Sequence, residues 1–316
     1  MTPPLRLLVS LLLLTSLGCP TTGQDDDDAA TDDDDAASDD DDATPAGPLP
    51  FPLTLGEAAN RPAELTGPVN WDQAEPLPLV ILLHGFGANS SLQDLLLRYS
   101  AQIEPLQYLL LLPEGTENAN GQQFWNAMPA CCDGGNTGVD DVGYLSGLVD
   151  EAIERANVDT SRIYFSGHSN GGFMSFRMAC EFPDRIAGIA PLAGATYLDP
   201  ADCAVGDGVH VLAVHGELDG QGDGPRVHYE GVPGSYPSAP DAAERWAGRG
   251  GCATPGQDGN RYDFINSLDG DETRSLVFDD CDKDVELWTI EDTGHVPLVN
   301  DDYAFTVLNW LFARSL

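Results

Sequence analysis

The chain has 316 residues and a formal net charge of −38 at pH 7, from 52 acidic against 14 basic side chains. So acidic a molecule repels nucleic acid and anionic membrane surfaces, which excludes functions built on binding either. Hydrophobic residues make up 42% of the sequence, enough for a packed core, and the 7 cysteines ask for an oxidising compartment.

In chain order, the first element is not structural. Met1 to Leu17 carry one positive charge, Arg6, and then an almost unbroken apolar run, so residues 1–18 read as a signal peptide. Gly18 precedes Cys19, as at a bacterial lipoprotein cleavage site. Cys19 is therefore expected to become a lipid-bearing N-terminus, with ordinary secretion as the alternative. Residues 19–48 contain the runs Asp25 to Asp28, Asp32 to Asp35 and Asp39 to Asp42. Nothing there can bury a core, and like charges extend the chain, so a solvated tether is expected. The runs lack the glycine turn and bidentate glutamate of a calcium loop.

Residues 49–316 hold 13 basic and 40 acidic side chains, and Lys283 is the only lysine. Such a surface suits a salty habitat, where self-repulsion is screened. Apolar strand-like runs alternate with helical stretches, which predicts one α/β domain with a mostly parallel sheet covered on both faces. Leu79 to Leu83 read as a buried strand ending in the turn His84-Gly85-Phe86-Gly87. Leu145, Leu148, Val149 and Ile153 fall at helical spacing behind Asp140-Asp141, an acidic start that favours a helix N-terminus over a metal site. Phe305, Val307, Leu308 and Leu311 predict a last packing helix.

The informative motif is Gly167-His168-Ser169-Asn170-Gly171-Gly172, between the strand-like Arg162 to Ser166 and the helix-like Phe173 to Glu181. Strand, tight turn and helix in that order describe a nucleophile elbow, which lifts a serine hydroxyl above a sheet. A serine hydroxyl is a poor nucleophile at neutral pH, so a histidine base and an orienting carboxylate must follow. His295 has the required place, in a loop after the strand-like Val285 to Ile290. For the acid, Val209 to His215 run into Gly216-Glu217-Leu218-Asp219, so Asp219 is expected, with Glu217 and Asp223 as alternatives. The backbone N–H groups of Phe86 and Asn170 are expected to form the oxyanion hole and His84 to hold its loop, while Trp125 reads as core packing, with a pocket wall as the other reading.

These residues resemble the secreted esterases that include polyhydroxybutyrate depolymerases, feruloyl esterases and acetylxylan esterases. The resemblance runs from about Pro78 to Leu311. It covers His84 to Gly87, Phe124-Trp125-Asn126 with Cys131-Cys132, Val139 to Leu145, the serine motif, Ala179 to Arg185, His215-Gly216 with Asp219, Trp246 to Cys252 and Gly294-His295. It implies an α/β-hydrolase fold, hydrolysis of carboxylic esters through an acyl-enzyme, and an ester substrate from a polysaccharide or polyester. It also implies a disulfide between Cys252 and Cys281. Cys131 and Cys132 are expected to reach separate partners among Cys180 and Cys203. No cofactor or metal is expected, since no histidine sits at ligand spacing from the cysteines. Val296-Pro297-Leu298 stands where members of the family often carry a tryptophan, and residues 220–236 form a long glycine-rich loop. Both departures bear on the substrate rather than the chemistry. A peptidase of the same fold and an idle polymer-binding lipoprotein are the rival readings.

Overall fold

One strand buried on both faces sets the architecture. The computed structural model describes residues 48–203, 208–220, 229–232 and 234–316. The expected leader, Cys19, residues 20–47 and the alternative acid Asp223 lie outside them. In chain order the elements are β1 (Leu53–Leu55), β2 (Ala63–Thr66), β3 (Leu77–Leu83), α1 (Ser90–Leu97), α2 (Ile103–Leu106), β4 (Leu109–Leu112), β5 (Thr116–Glu117) and β6 (Gln123–Phe124). There follow α3 (Asp141–Arg155), β7 (Val158–His168), α4 (Asn170–Glu181), β8 (Gly188–Leu192), β9 (His210–Gly216), α5 (Ala239–Arg249), β10 (Gln257–Tyr262), β11 (Thr273–Phe278), β12 (Val285–Ile290) and α6 (Asp301–Phe312).

Ten strands form one sheet in the order β1-β2-β4-β3-β7-β8-β9-β12-β11-β10. The strands from β4 to β12 are mutually parallel, while β1, β2, β11 and β10 pair antiparallel at the two edges. Every residue of β3 is buried, because side chains of period two enter a core on each face. Leu79, Ile81 and Leu83 join the core under α3, α4 and α5, and Val80 and Leu82 join the one under α1 and α6. In α3, Leu145, Leu148 and Val149 are buried. In α6, Val307, Leu308 and Leu311 are buried, but Phe305 faces solvent and Tyr303, Ala304 and Trp310 complete the packed stripe instead.

Disulfides join Cys252 to Cys281, Cys180 to Cys203, and Cys131 to Cys132. The expected separation of the last two is corrected. Their shared peptide is cis, the Cα atoms stand 3.0 Å apart, and Cys180 and Cys203 already bond each other.

Candidate active site

β7 is central in the sheet, and its carboxyl end turns through Ser169 into α4. Ser169 has φ 55° and ψ −119°, a conformation that a side chain adopts only under strain. Close backbone approach explains the neighbouring glycines. A Cβ on Gly167 would stand 2.6 Å from the Leu83 carbonyl oxygen, and one on Gly171 would stand 2.2 Å from it. Any larger residue would push the strand and helix apart and carry the serine with them.

The Ser169 hydroxyl lies 2.8 Å from His295 Nε2. His295 Nδ1 lies 3.0 Å from each carboxylate oxygen of Asp219, whose side chain is fully buried. A carboxylate can only accept, so Nδ1 carries the proton and Nε2 is left to accept from the serine hydroxyl. Two loops deliver these groups together. Glu217 N donates to Ile290 O and Leu218 N to Thr293 O, tying the loop after β9 to the loop after β12. Gly216 makes this possible, since a Cβ there would meet the Gly294 carbonyl oxygen at 2.2 Å. Glu217 instead pairs with Arg274, at 3.4 Å.

Two further histidines surround this chain. His168 donates from Nε2 to the His295 carbonyl oxygen at 2.7 Å, and burial lowers its pKa to about 4. It is therefore a neutral brace for the His295 loop. His215 donates from Nε2 to Gly194 O at 2.8 Å, with burial again holding the ring below its usual pKa. Its bare Nδ1 faces Asp219 at 3.9 Å, so it adds no charge that would compete with His295.

On the other flank, the loop after β3 packs against the serine, since a Cβ on Gly85 would touch Ser169 Cβ at 3.5 Å. The backbone N–H groups of Phe86 and Asn170 donate to no group among the described residues. Uncommitted donors at a loop end and a helix N-terminus suit a developing oxyanion. His84 is buried and accepts from Gly115 N at 2.9 Å, pinning this loop to the one after β4.

Trp125 is not a pocket wall. It is fully buried, because its indole N–H is needed by His84 O at 2.9 Å and its backbone is clasped by Asn170. The Asn170 side chain accepts from Trp125 N at 2.7 Å and donates to Trp125 O at 2.9 Å, imitating a strand pair. Behind it lies a network that has no local sequence signature. Asp140 caps α3, accepting from Gly143 N at 2.8 Å, whereas Asp141 is buried and accepts from Asn126 N and from Arg61. Arg61 stacks over Tyr144, 3.8 Å from its centroid. Its carboxylate partner is 80 positions away in sequence, so no local pattern announces the pair.

A family model described as Phospholipase/Carboxylesterase matches residues 69–221. Feruloyl esterase B of Piromyces equi is 30% identical over 162 residues, covering 48% of this chain and 29% of that protein. Poly(3-hydroxyalkanoate) depolymerase C of Paucimonas lemoignei is 30% identical over 121 residues, covering 38% of this chain and 28% of that one. The chain thus spans less than a third of the length of either relative. The acetyl xylan esterase structure from Aspergillus awamori superposes with a TM-score of 0.59 over 82% of this chain and 98% of its own, at 14% identity. With a mostly parallel sheet, a serine elbow and these similarities, the chain has the α/β-hydrolase fold and is similar in sequence to a feruloyl esterase and a poly(3-hydroxyalkanoate) depolymerase.

Proposed function

We propose that the protein is a serine esterase that hydrolyses carboxylic esters through an acyl-enzyme. One observation carries this reading: the unbroken hydrogen-bond chain from Asp219 through His295 to Ser169. His295 Nε2 takes the proton of Ser169 as Oγ bonds to the ester carbonyl carbon, and the charge moves to the carbonyl oxygen. The free N–H groups of Phe86 and Asn170 hold that oxyanion, each donor contributing roughly 3 to 4 kcal/mol. The imidazolium then gives its proton to the departing alkoxide as the C–O bond breaks. Water repeats the sequence, releasing the acid and restoring the serine. Asp219 fixes the tautomer throughout and stabilises the imidazolium.

The protein works outside the cytoplasm, held by a lipid on Cys19 through the aspartate tether. The three disulfides support an oxidising compartment. Replacing Ser169 by Ala abolishes both p-nitrophenyl acetate hydrolysis and fluorophosphonate labelling. Unchanged turnover in a pure sample would falsify the assignment.

A further inference from the structure

In a domain coated with carboxylates, five of the ten exposed large hydrophobic side chains among the described residues lie on the two segments that leave the site, the others being Val69, Leu198, Leu218, Phe305 and Leu316. Phe86 is 43% exposed in the loop after β3, and Leu92 and Leu95 are 54% and 70% exposed on α1, which begins three residues beyond Gly87. Val296 and Leu298 are 52% and 75% exposed in the segment that follows His295. Between α1 and that segment runs a groove of about 600 Å³, with Leu92, Leu95, Leu96, Leu298 and Val299 in its walls. Of the five exposed side chains, Leu92, Leu95 and Leu298 line this groove, and exposed apolar surface in a concavity marks a binding site more often than chance.

Arg98, Asn266, Asn300, Asp301 and Asp302 are the polar half of the lining, and the first, third and fourth of them are committed to other groups. Arg98 pairs with Asp301. Asn300 accepts from Asp302 N at 3.1 Å and Tyr303 N at 3.3 Å, and donates to Asp263 O at 3.0 Å and Asn266 Oδ1 at 3.3 Å. No aromatic ring lies in the lining. A sugar would lose its hydration here with few partners in return, while an alkyl chain loses nothing polar.

Resting on the esterase reading above, we infer that this groove holds an alkyl chain on the alcohol side of the ester. The reason is the direction of proton transfer. His295 must protonate the leaving oxygen, so the alcohol lies on the His295 side of Ser169, and the groove opens along the segment that His295 begins. The favoured substrates are then esters of aliphatic alcohols, in preference to acylated sugars.

The test compares kcat/KM of the full-length protein on acetates of methanol, butanol, hexanol and octanol, with acetylated xylan alongside. Wild-type kcat/KM rises up to about fourfold for each methylene that becomes buried. Both Leu95→Ser and Leu298→Ser flatten that rise, and neither removes a core residue. A parallel series of methyl alkanoates, lengthened on the acyl side, shows no such response to these substitutions. A flat wild-type alcohol series, variants that keep the slope, a response confined to the acyl series, or faster turnover of acetylated xylan overturns the inference. Fluorophosphonate labelling of wild-type Ser169 separates the two levels. If labelling succeeds and the slope is flat, only the groove assignment fails; if labelling fails, the esterase reading fails with it.

Discussion

The two flanks of Ser169 are built on opposite plans. On the Asn170 side, the side chain of Asn170, the backbone of Trp125, Asp141 and Arg61 form a buried polar lattice that joins α4, β6, α3 and the loop before β2. On the His295 side, the backbone is held by His168 and the ring by Asp219, and the segment then runs into exposed Val296 and Leu298. On the proposed esterase reading, the difference follows from what each flank would do. An oxyanion hole stabilises charge only if its donors are already in place, so rigidity there lowers the barrier. On the esterase reading proposed above, the base side admits and releases an alcohol, and a lattice of buried bonds there would block it.

The contrast breaks most sharply at Asp219. Asp219→Asn keeps the packing but lets the imidazole choose the wrong tautomer, so kcat falls by roughly 10³ to 10⁴-fold with little change in melting temperature. Steady-state kinetics beside thermal denaturation read both; a drop in stability matching the drop in rate would mean that Asp219 mainly holds the fold.

The opposite signature belongs to the other flank. Asp141→Ala leaves the Arg61 guanidinium buried without its carboxylate, at a cost of about 3 to 5 kcal/mol in urea denaturation. If stability is unchanged while turnover collapses, the lattice serves the chemistry directly and the contrast between the flanks dissolves.

The smallest effect concerns acid. Burial holds His168 and His210 at pKa values of about 4, below the ordinary 6.5. Between those values the unfolded chain binds protons that the native state refuses, so stability falls as pH drops from about 6.5 to 4, by up to about 3 kcal/mol for each group. His168→Gln, which keeps a donor for the His295 carbonyl, removes part of that slope. Denaturation midpoints across pH 4 to 7 decide it, and a slope unaltered by this substitution refutes the neutral brace.

How much was legible depended on how local each cause is. Ser169 was readable because strand, turn and helix are contiguous, and the close approaches at Gly167 and Gly171 are written as glycines beside it. Asp219 and His295 were readable as positions after strands in the order that the fold requires. Asp140-Asp141 was readable as the acidic start of α3, which Asp140 caps, but the burial of Asp141 against Arg61 was not, because that partner is distant in sequence. Trp125 was legible as core packing but also as a pocket wall. An aromatic near the site invites that reading, and only the hydrogen bonds to His84 and Asn170 show it turned inward.

By itself, then, the sequence determined the apolar strand runs, the glycine turns, the order of serine, acid and histidine, and the apolar residues after His295. Each is a property of neighbours along the chain, or of order along it. Tertiary structure alone decided the bond between Cys131 and Cys132, the burial of Arg61 against Asp141, the bracing of His295 by His168, and the meeting of Leu95 with Leu298 across one groove. Those depend on distances between segments far apart in the chain, and burial turns such distances into energy.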